Sequence, residues 1–378
     1  MALINLKNKR LLHFFQDEKV VNEAIENFET AFQNENLFVV ITKNGKATLV
    51  NEHPNTLFLT MGSSELDDII KNSRDFGEVV LHSMCYEFAL ILPKMNHPNV
   101  CWVIWGADLY EDLLYKKGYK LYIDEQNLFR VRAQKLPVFL YKMLIGYRDS
   151  RYFKAQINAN RYIHSVCALS PDYELLVRYF PEFKSCSNKY FYYYPIEKML
   201  DDNTRDCYVS GKDIWVNNAA AYNGNHIDIL QRISKFRNNG TVHVPLSYGM
   251  TKWAKYVESE GRRILGEKFD PMLTFMPRGE YYKRFLGSNS FVFGHLRQCA
   301  VGNILVAIYL GAKVFLFKDN PLYSYFKEMG IQLYSIDEDF TEDNVYASLS
   351  DTMRQQNREI ILNNYSYQNL ISLIKQYF

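Results

Sequence analysis

From Asp213 to Phe317, short runs suited to strands alternate with stretches of helical period, and this alternation restricts the fold more than any other feature of the chain. Asp213–Val216 reads as a strand, after which Ile227, Leu230, Ile233 and Phe236 recur every three residues, as on one face of a helix. Residues 241–245 form the next candidate strand and residues 251–265 the next helix. Further strands are expected at 273–276, 290–294 and 313–317, separated by helices over 280–286 and 303–310, with Gly311 in the position that ends a helix. A β-α repeat of this kind builds a parallel sheet with helices on both faces, and its ligands bind beyond the carboxyl ends of the strands.

The first half behaves similarly, with candidate strands at 11–15, 37–42, 78–82, 100–105 and 162–169 and helical stretches between them. A less regular, polar and tyrosine-rich segment, roughly residues 185–212, separates the halves. At 378 residues the chain exceeds the size at which single cores usually stop growing. The expected fold class is therefore α/β, two Rossmann-like domains facing each other across a cleft, with the boundary near residue 200: 1–200 and 201–378. The last helix is expected to pack back on the first domain.

Net charge is only +2, so global electrostatics call for no nucleic-acid partner. The six cysteines are widely spread with no Cys-x-x-Cys pair, and several sit in apolar runs, which fits a reducing compartment and argues against a zinc site. No stretch of about 20 apolar residues occurs. No signal-type apolar run follows the basic residues near the start, and a cytoplasmic location is expected.

The loops after the strands carry the candidate chemistry. The turn NNAAAYNGNH (residues 217–226) is rich in small residues and asparagine, with Asn225 placed to cap the next helix. The loop HLRQCAVGN (295–303) sets Arg297 before small Ala300 and Gly302, where a helix begins. A helix N-terminus offers unpaired N–H groups and partial positive charge to a phosphate, and Arg297 adds a bidentate donor. Tight βα loops use the same small residues for packing alone, and both readings stand at this level. Neither G-x-G-x-x-G nor the P-loop motif is present, which argues against a standard dinucleotide enzyme or P-loop kinase. Asp337-Glu338-Asp339 matches the D-x-D pattern of metal-binding sugar transferases, but an acidic surface turn has the same letters.

The stretch CWVIWGADLYEDL (101–113) is an apolar run broken at Gly106 and followed by acids. If Gly106 ends a buried strand, Asp108, Tyr110 and Glu111 point into the inter-domain cleft. There Asp108 serves either as a general base or as a cap of the following helix. His82 and Glu111 are the alternatives for the base. Between Arg130 and Arg161 eight basic residues stand against one acid, Asp149, around an apolar core LPVFLYKML. Such interleaving suits an interfacial segment on anionic lipid or a pocket for a polyprenyl diphosphate; a core helix with a solvated basic flank is the other reading.

Taken together, CWVIWGADLYEDL, NNAAAYNGNHIDIL, VPLSYG, GEYYKRF and LRQCAVGN resemble the TDP-N-acetylfucosamine:lipid II N-acetylfucosaminyltransferases, glycosyltransferase family 56, in order along most of the chain. The resemblance implies a GT-B fold, a nucleotide-sugar donor such as a dTDP-sugar held mainly by the C-terminal domain, and an undecaprenyl-diphosphate-linked saccharide acceptor at the N-terminal domain. It also implies metal-independent transfer without a cofactor, at the cytoplasmic face of the inner membrane, in the synthesis of bacterial surface polysaccharide. Carried over by position, Asn218, Asn225, His226, Tyr248, Arg297, Gln298 and Gly302 match the family's donor-side runs, and Asn217, Glu280 and Asn303 beside them complete the expected donor-binding set. The catalytic set is Asp108, His82 and Glu111, and the membrane or acceptor set is Tyr110, Arg132, Lys135, Lys142 and Arg148. The chain departs from the family at Phe15-Gln16-Asp17, where a glycine-serine-aspartate turn is usual. Asn217 and Ala219 replace glycine and serine, Ala300 replaces glycine, and Glu280 replaces aspartate. Two other readings keep the same fold: a catalytically silent protein that binds a saccharide or lipid head group, and a sugar-nucleotide epimerase, against which the basic aromatic segment argues.

Overall fold

The structure is a computed structural model that describes residues 9–133, 137–237 and 240–378; the side chains of Val138, Ile145, Tyr147 and Arg148 are not described. Lys135 and the side chain of Arg148 therefore lie outside the described set. The chain forms two compact units. Unit 1 comprises Met1–Tyr119, Gly146–Tyr193 and Gln368–Phe378; unit 2 comprises Lys120–Ile145 and Tyr194–Tyr367.

Unit 1 is built on a seven-stranded, all-parallel sheet: β1 (Leu11–Gln16), β2 (Asn36–Ile41), β3 (Thr56–Leu59), β4 (Glu78–His82), β5 (Val100–Val103), β6 (Ser165–Cys167) and β7 (Ser187–Lys189), in the order β3-β2-β1-β4-β5-β6-β7. The central strands LLHFFQ, NLFVVI, EVVLH and VCWV are apolar along nearly their whole length because both faces of a parallel sheet are covered. The strand order reverses between β1 and β4, which opens a crevice at their carboxyl ends.

Unit 2 repeats the plan with β8 (Asp213–Val216), β9 (Val242–Pro245), β10 (Phe269–Met272), β11 (Ser288–Phe293), β12 (Lys313–Leu316) and β13 (Tyr334–Ser335), in the order β10-β9-β8-β11-β12-β13, again all parallel. Its reversal falls between β8 and β11. Under the sheet the rings of Trp215, Phe285 and Phe291 form one cluster, with centroids 4.6 Å apart for Trp215–Phe285 and 4.5 Å for Phe285–Phe291.

The unit boundaries differ from a single cut at residue 200 for reasons that lie in tertiary contacts. Residues 120–145 join unit 2 because Ile123 N donates to Asn225 Oδ1 (2.9 Å), Asn127 and Tyr256 hydrogen-bond side chain to side chain (2.8 Å), and the Arg132 guanidinium lies over the Tyr222 ring. The terminal helix Tyr367–Tyr377 contributes residues from Gln368 onward to unit 1, where the Phe378 ring packs on Phe28 and Phe191.

One strand is corrected. The expected strand at 273–276 is instead Phe269–Met272, four residues earlier, although Asp270 and Pro271 are poor strand formers. It is an edge strand, where a proline's missing N–H costs no ladder bond, and Leu273 and Phe275 beyond it are exposed. The strands β3, β7 and β13 were not expected; β7 (SNK) is short, polar and at an edge, so it lacks the apolar pattern that marks a strand.

Candidate functional site

In unit 2 the loops that follow β8 and β11 meet at the reversal point, and their conformation explains the unusual sequence there. Asn217, fully buried, takes a left-handed backbone (φ 59°); its Nδ2 donates to Gly224 O (2.8 Å) and its Oδ1 accepts from Gly294 N (2.8 Å). Asparagine tolerates this conformation better than most residues, which accounts for its standing where the resembled family has glycine. Asn225 is also left-handed (φ 47°) and sits at the N-cap of the helix His226–Ile233, but its side chain does not cap it. Instead Nδ2 donates to Gly294 O (2.7 Å) and Oδ1 accepts from Ile123 N (2.9 Å), so Asn225 joins both reversal-point loops to residues 120–145. The loop after β9 is laced to the same place: Ala220 N donates to Tyr248 O and Met250 N to Ala220 O. Gly249 is required at that crossing, since its φ is 107° and a Cβ would lie 2.7 Å from Ala220 O.

The helix Val301–Tyr309 starts beside these loops. Its N-cap, Ala300, is left-handed (φ 58°), and no side chain caps this end. Its first N–H groups and the positive end of its dipole look toward a cavity of about 260 Å³ lined by Tyr194, Met199, Asn218, Arg278, Tyr282, Ala300, Val301, Gly302 and Asn303. The Oδ1 of Asn218 is buried there with no hydrogen-bond partner. Asn303 fixes one wall: its Nδ2 donates to Tyr281 Oη (2.8 Å) and its Oδ1 accepts from Tyr282 Oη (3.3 Å), which holds the helix Arg278–Phe285 against Val301–Tyr309. The exposed Arg278 donates to Lys198 O (3.2 Å) and lies 5.0 Å over the Tyr194 ring.

Of the sequence-derived donor set, Asn218, Gly302 and Asn303 line this cavity. Asn217, Asn225 and His226 are buried in the framework behind it. His226 Nδ1 accepts from Trp253 Nε1 (3.3 Å), and burial, with His295 nearby, pushes its pKa down to about 3. Arg297 is buried in its own loop, with Nη1 donating to Gln298 O (2.9 Å), and is not among the cavity-lining residues. Tyr248 and Glu280 are exposed and Gln298 is half-buried, none of them lining the cavity. Arg278 and Tyr194 were missed. The signal for Arg278 was its place one residue before the family-like GEYYKRF run, directly after Pro277; nothing in the sequence marks Tyr194.

In unit 1 the stretch after β5 does not behave as expected. Gly106 does end the strand region, with φ 99°, but Asp108 turns inward and is 3% exposed. Its carboxylate accepts from Met84 N (2.9 Å), Trp102 Nε1 (2.8 Å) and Trp105 N (3.1 Å), pinning the loop after β4 to the loop after β5. Burial raises its pKa and the N–H donors partly offset this. This is a structural tie rather than a base open to substrate. His82 is fully buried in a chain of hydrogen bonds with fixed direction. Asn36 Nδ2 faces three acceptors, so its Oδ1 accepts from His13 Nε2 (3.2 Å); His13 Nδ1 then accepts from His82 Nε2 (3.1 Å), and His82 Nδ1 accepts from Tyr193 Oη (2.7 Å). Burial keeps both histidines neutral, His13 down to about 3 and His82 well below the ordinary value. Glu111 is half-buried.

The membrane or acceptor set also divides. Tyr110 is fully buried, its hydroxyl donating to Asp172. Arg132 is half-buried, with Nε donating to Tyr141 Oη (3.1 Å), and belongs to the packing of unit 2. Lys142 is exposed, its ammonium 4.2 Å over the Phe129 ring. Asp337 and Asp339 accept from Lys318 N and Ser335 N, and Glu338 pairs with Lys318, so the acids of this turn are engaged by Ser335 and by the loop after β12. Among the described residues no group of three or more acidic, histidine or cysteine side chains is placed to hold a metal.

No protein-family model matches the chain. Its backbone is similar to that of Anabaena HepE, solved with UDP and glucose (TM-score 0.62, 11% identity, 97% of each chain), and to WaaG, a glycosyltransferase involved in lipopolysaccharide biosynthesis (0.58, 12%, 97% and 98%). It is similar also to sucrose-phosphate synthase from Thermosynechococcus elongatus (0.62, 9%, 97% and 98%). The chain has the GT-B fold. Within the GT-B fold of this chain, unit 1 is the N-terminal Rossmann-like domain and unit 2 the C-terminal one.

The reading of Asp108 makes a forecast. In Asp108→Asn the new NH₂ faces a backbone or indole N–H, leaving a buried donor unpaired, so stability should fall by about 1–3 kcal/mol. Chemical denaturation measures this; an unchanged unfolding midpoint contradicts the structural role.

Proposed function

We propose that the chain is a glycosyltransferase that binds a nucleoside-diphosphate sugar through unit 2. The observation that carries this reading is the cavity at the N-terminus of Val301–Tyr309, beside the β8/β11 reversal, with Arg278 on its rim. A diphosphate there meets unpaired helix N–H groups and a guanidinium, which together offset the charge that develops on the leaving group as the glycosidic bond breaks. The buried, unpartnered Oδ1 of Asn218 asks for a donor, which a sugar hydroxyl or an acetamido N–H supplies. The likeness to HepE, solved with UDP and with UDP-glucose, supports a nucleotide-sugar donor.

The finer reading rests on the family 56 resemblance. The donor sugar is a deoxy-aminosugar of the N-acetylfucosamine type, carried on dTDP, and the acceptor is an undecaprenyl-diphosphate-linked saccharide of a bacterial surface polysaccharide. Among the described residues no helix is long and apolar enough to cross a membrane. An interfacial contact is supported by the helix Val138–Asn160, where Phe139, Met143 and Leu144 are 69%, 63% and 61% exposed beside exposed Lys142. Apolar side chains next to cations suit an anionic lipid surface at the cytoplasmic face.

Arg278→Ala should weaken UDP or dTDP binding by about 1.5–3 kcal/mol, the range for a lost charge-assisted hydrogen bond, with the fold intact. Calorimetric titration of both proteins decides; equal affinities remove Arg278 from the site, and no binding of either nucleotide by the wild type overturns the transferase reading.

Replacing Phe139, Met143 and Leu144 together by serine should reduce binding to phosphatidylglycerol-containing vesicles by roughly tenfold or more, since buried apolar area drives interfacial attachment. Co-sedimentation that is unchanged in the triple variant contradicts the interfacial role.

A further inference from the structure

We infer that the last turns of the helix Val138–Asn160 hold the phosphate of an anionic membrane phospholipid, a head-group site that deepens the interfacial reading above and rests on it. The site is a groove of about 360 Å³ lined by Phe153, Lys154, Ile157, Asn158 and Arg161, all of them in unit 1. Two cations and an amide stand there beside two apolar side chains, and no carboxylate lines the groove.

Helical spacing builds this combination. Arg151, Lys154, Asn158 and Arg161 recur at intervals of three, four and three residues, so they follow one edge of the helix into the turn that ends it. Phe153 and Ile157, one turn apart, form the row beside them. Lys154, Asn158 and Arg161 are exposed while Phe153 and Ile157 are half-buried, which puts charge outermost and apolar surface beneath it. From Ser150 to Pro171 the chain carries these three cations and no acid. Asp149, just before this stretch, bonds Lys116 (2.9 Å), and Glu182, which reaches its helix end, accepts from Asn160 Nδ2 (3.4 Å). The Arg161 guanidinium is already oriented: Nη2 donates to Asn158 Oδ1, and the group lies 5.2 Å from the centroid of the Tyr162 ring. Its fork of N–H donors can keep that contact and grip a phosphate as well.

The place of the groove in the fold decides which phosphate it takes. A parallel sheet binds its substrates beyond the carboxyl ends of its strands, and the helix leading into β6 runs against them. Its last turns therefore lie at the amino end of the sheet, with β6 starting at Ser165, four residues after Arg161. A ligand held there is the surface on which the protein stands. An anionic bilayer supplies both halves of the match, phosphate for Lys154 and Arg161 and acyl carbon for Phe153 and Ile157.

Co-sedimentation of the full chain with phosphatidylcholine vesicles, with and without phosphatidylglycerol, tests the site. The double variant Lys154→Gln, Arg161→Gln should partition roughly 10–30-fold more weakly than wild type onto the phosphatidylglycerol vesicles, with a smaller dependence on salt and an unchanged melting temperature. The control Lys71→Gln, Lys94→Gln removes the same charge from exposed positions on other helices of unit 1 and should change partition by less than about threefold. Equal partition of wild type and the Lys154/Arg161 variant, or an equal loss in the control, overturns the groove; the interfacial helix still stands if replacing Phe139, Met143 and Leu144 by serine abolishes binding. A soluble polyprenyl diphosphate that binds wild type but not the Lys154/Arg161 variant, when vesicle partition is equal, assigns the groove to another lipid phosphate and overturns the phospholipid. Wild-type protein that binds no phosphatidylglycerol vesicle overturns the interfacial reading and this site together.

Discussion

A parallel sheet must be covered on both faces, and that requirement shapes everything else in this chain. Strands such as NLFVVI and SNSFVF are buried from end to end, so they carry almost no chemistry themselves. Polar and catalytic groups are displaced to the loops beyond the strands' carboxyl ends. Where the strand order reverses, at β1/β4 and at β8/β11, adjacent loops diverge in opposite directions and leave room for a ligand.

Holding those loops still is the work of a few buried polar side chains. Asn217 and Asn225 knit the turns after β8 and β11 through Gly224, Gly294 and Ile123, and Asp108 does the same for the turns after β4 and β5 through Met84, Trp102 and Trp105. Each satisfies several backbone groups that would otherwise be buried unpaired, at about 1–3 kcal/mol apiece. The residues that sequence motifs single out are therefore of two kinds: framework asparagines and Asp108, and the smaller set that lines the cavity, Asn218, Gly302 and Asn303.

Most of the α/β architecture was legible because apolar strands alternating with periodic helices leave few alternatives. Asp213–Val216, Glu78–His82 and Thr251–Leu265 fall where the pattern puts them. The pattern failed where its signal is intrinsically weak, at Pro271 in an edge strand and in the polar β7. It also could not assign residues 120–145 to unit 2, since Arg132 on Tyr222 and Ile123 on Asn225 are contacts across about a hundred residues of chain. The direction of a side chain after a turn is not encoded in local periodicity. Asp108 and Asp112 are one helical turn apart, yet one is buried and the other exposed. For the same reason Arg278 was overlooked in favour of Arg297, although only Arg278 of the two lines the cavity.

The central claim is that the N-terminus of Val301–Tyr309 receives the diphosphate of a sugar nucleotide. Hydrogen–deuterium exchange with and without saturating dTDP or UDP tests it at the atoms concerned. The account predicts slowed exchange at Val301, Gly302 and Asn303, with much weaker protection by the corresponding nucleoside, which lacks the diphosphate. Nucleotide binding that leaves this first turn unprotected, or that protects it equally with the nucleoside, would contradict the account.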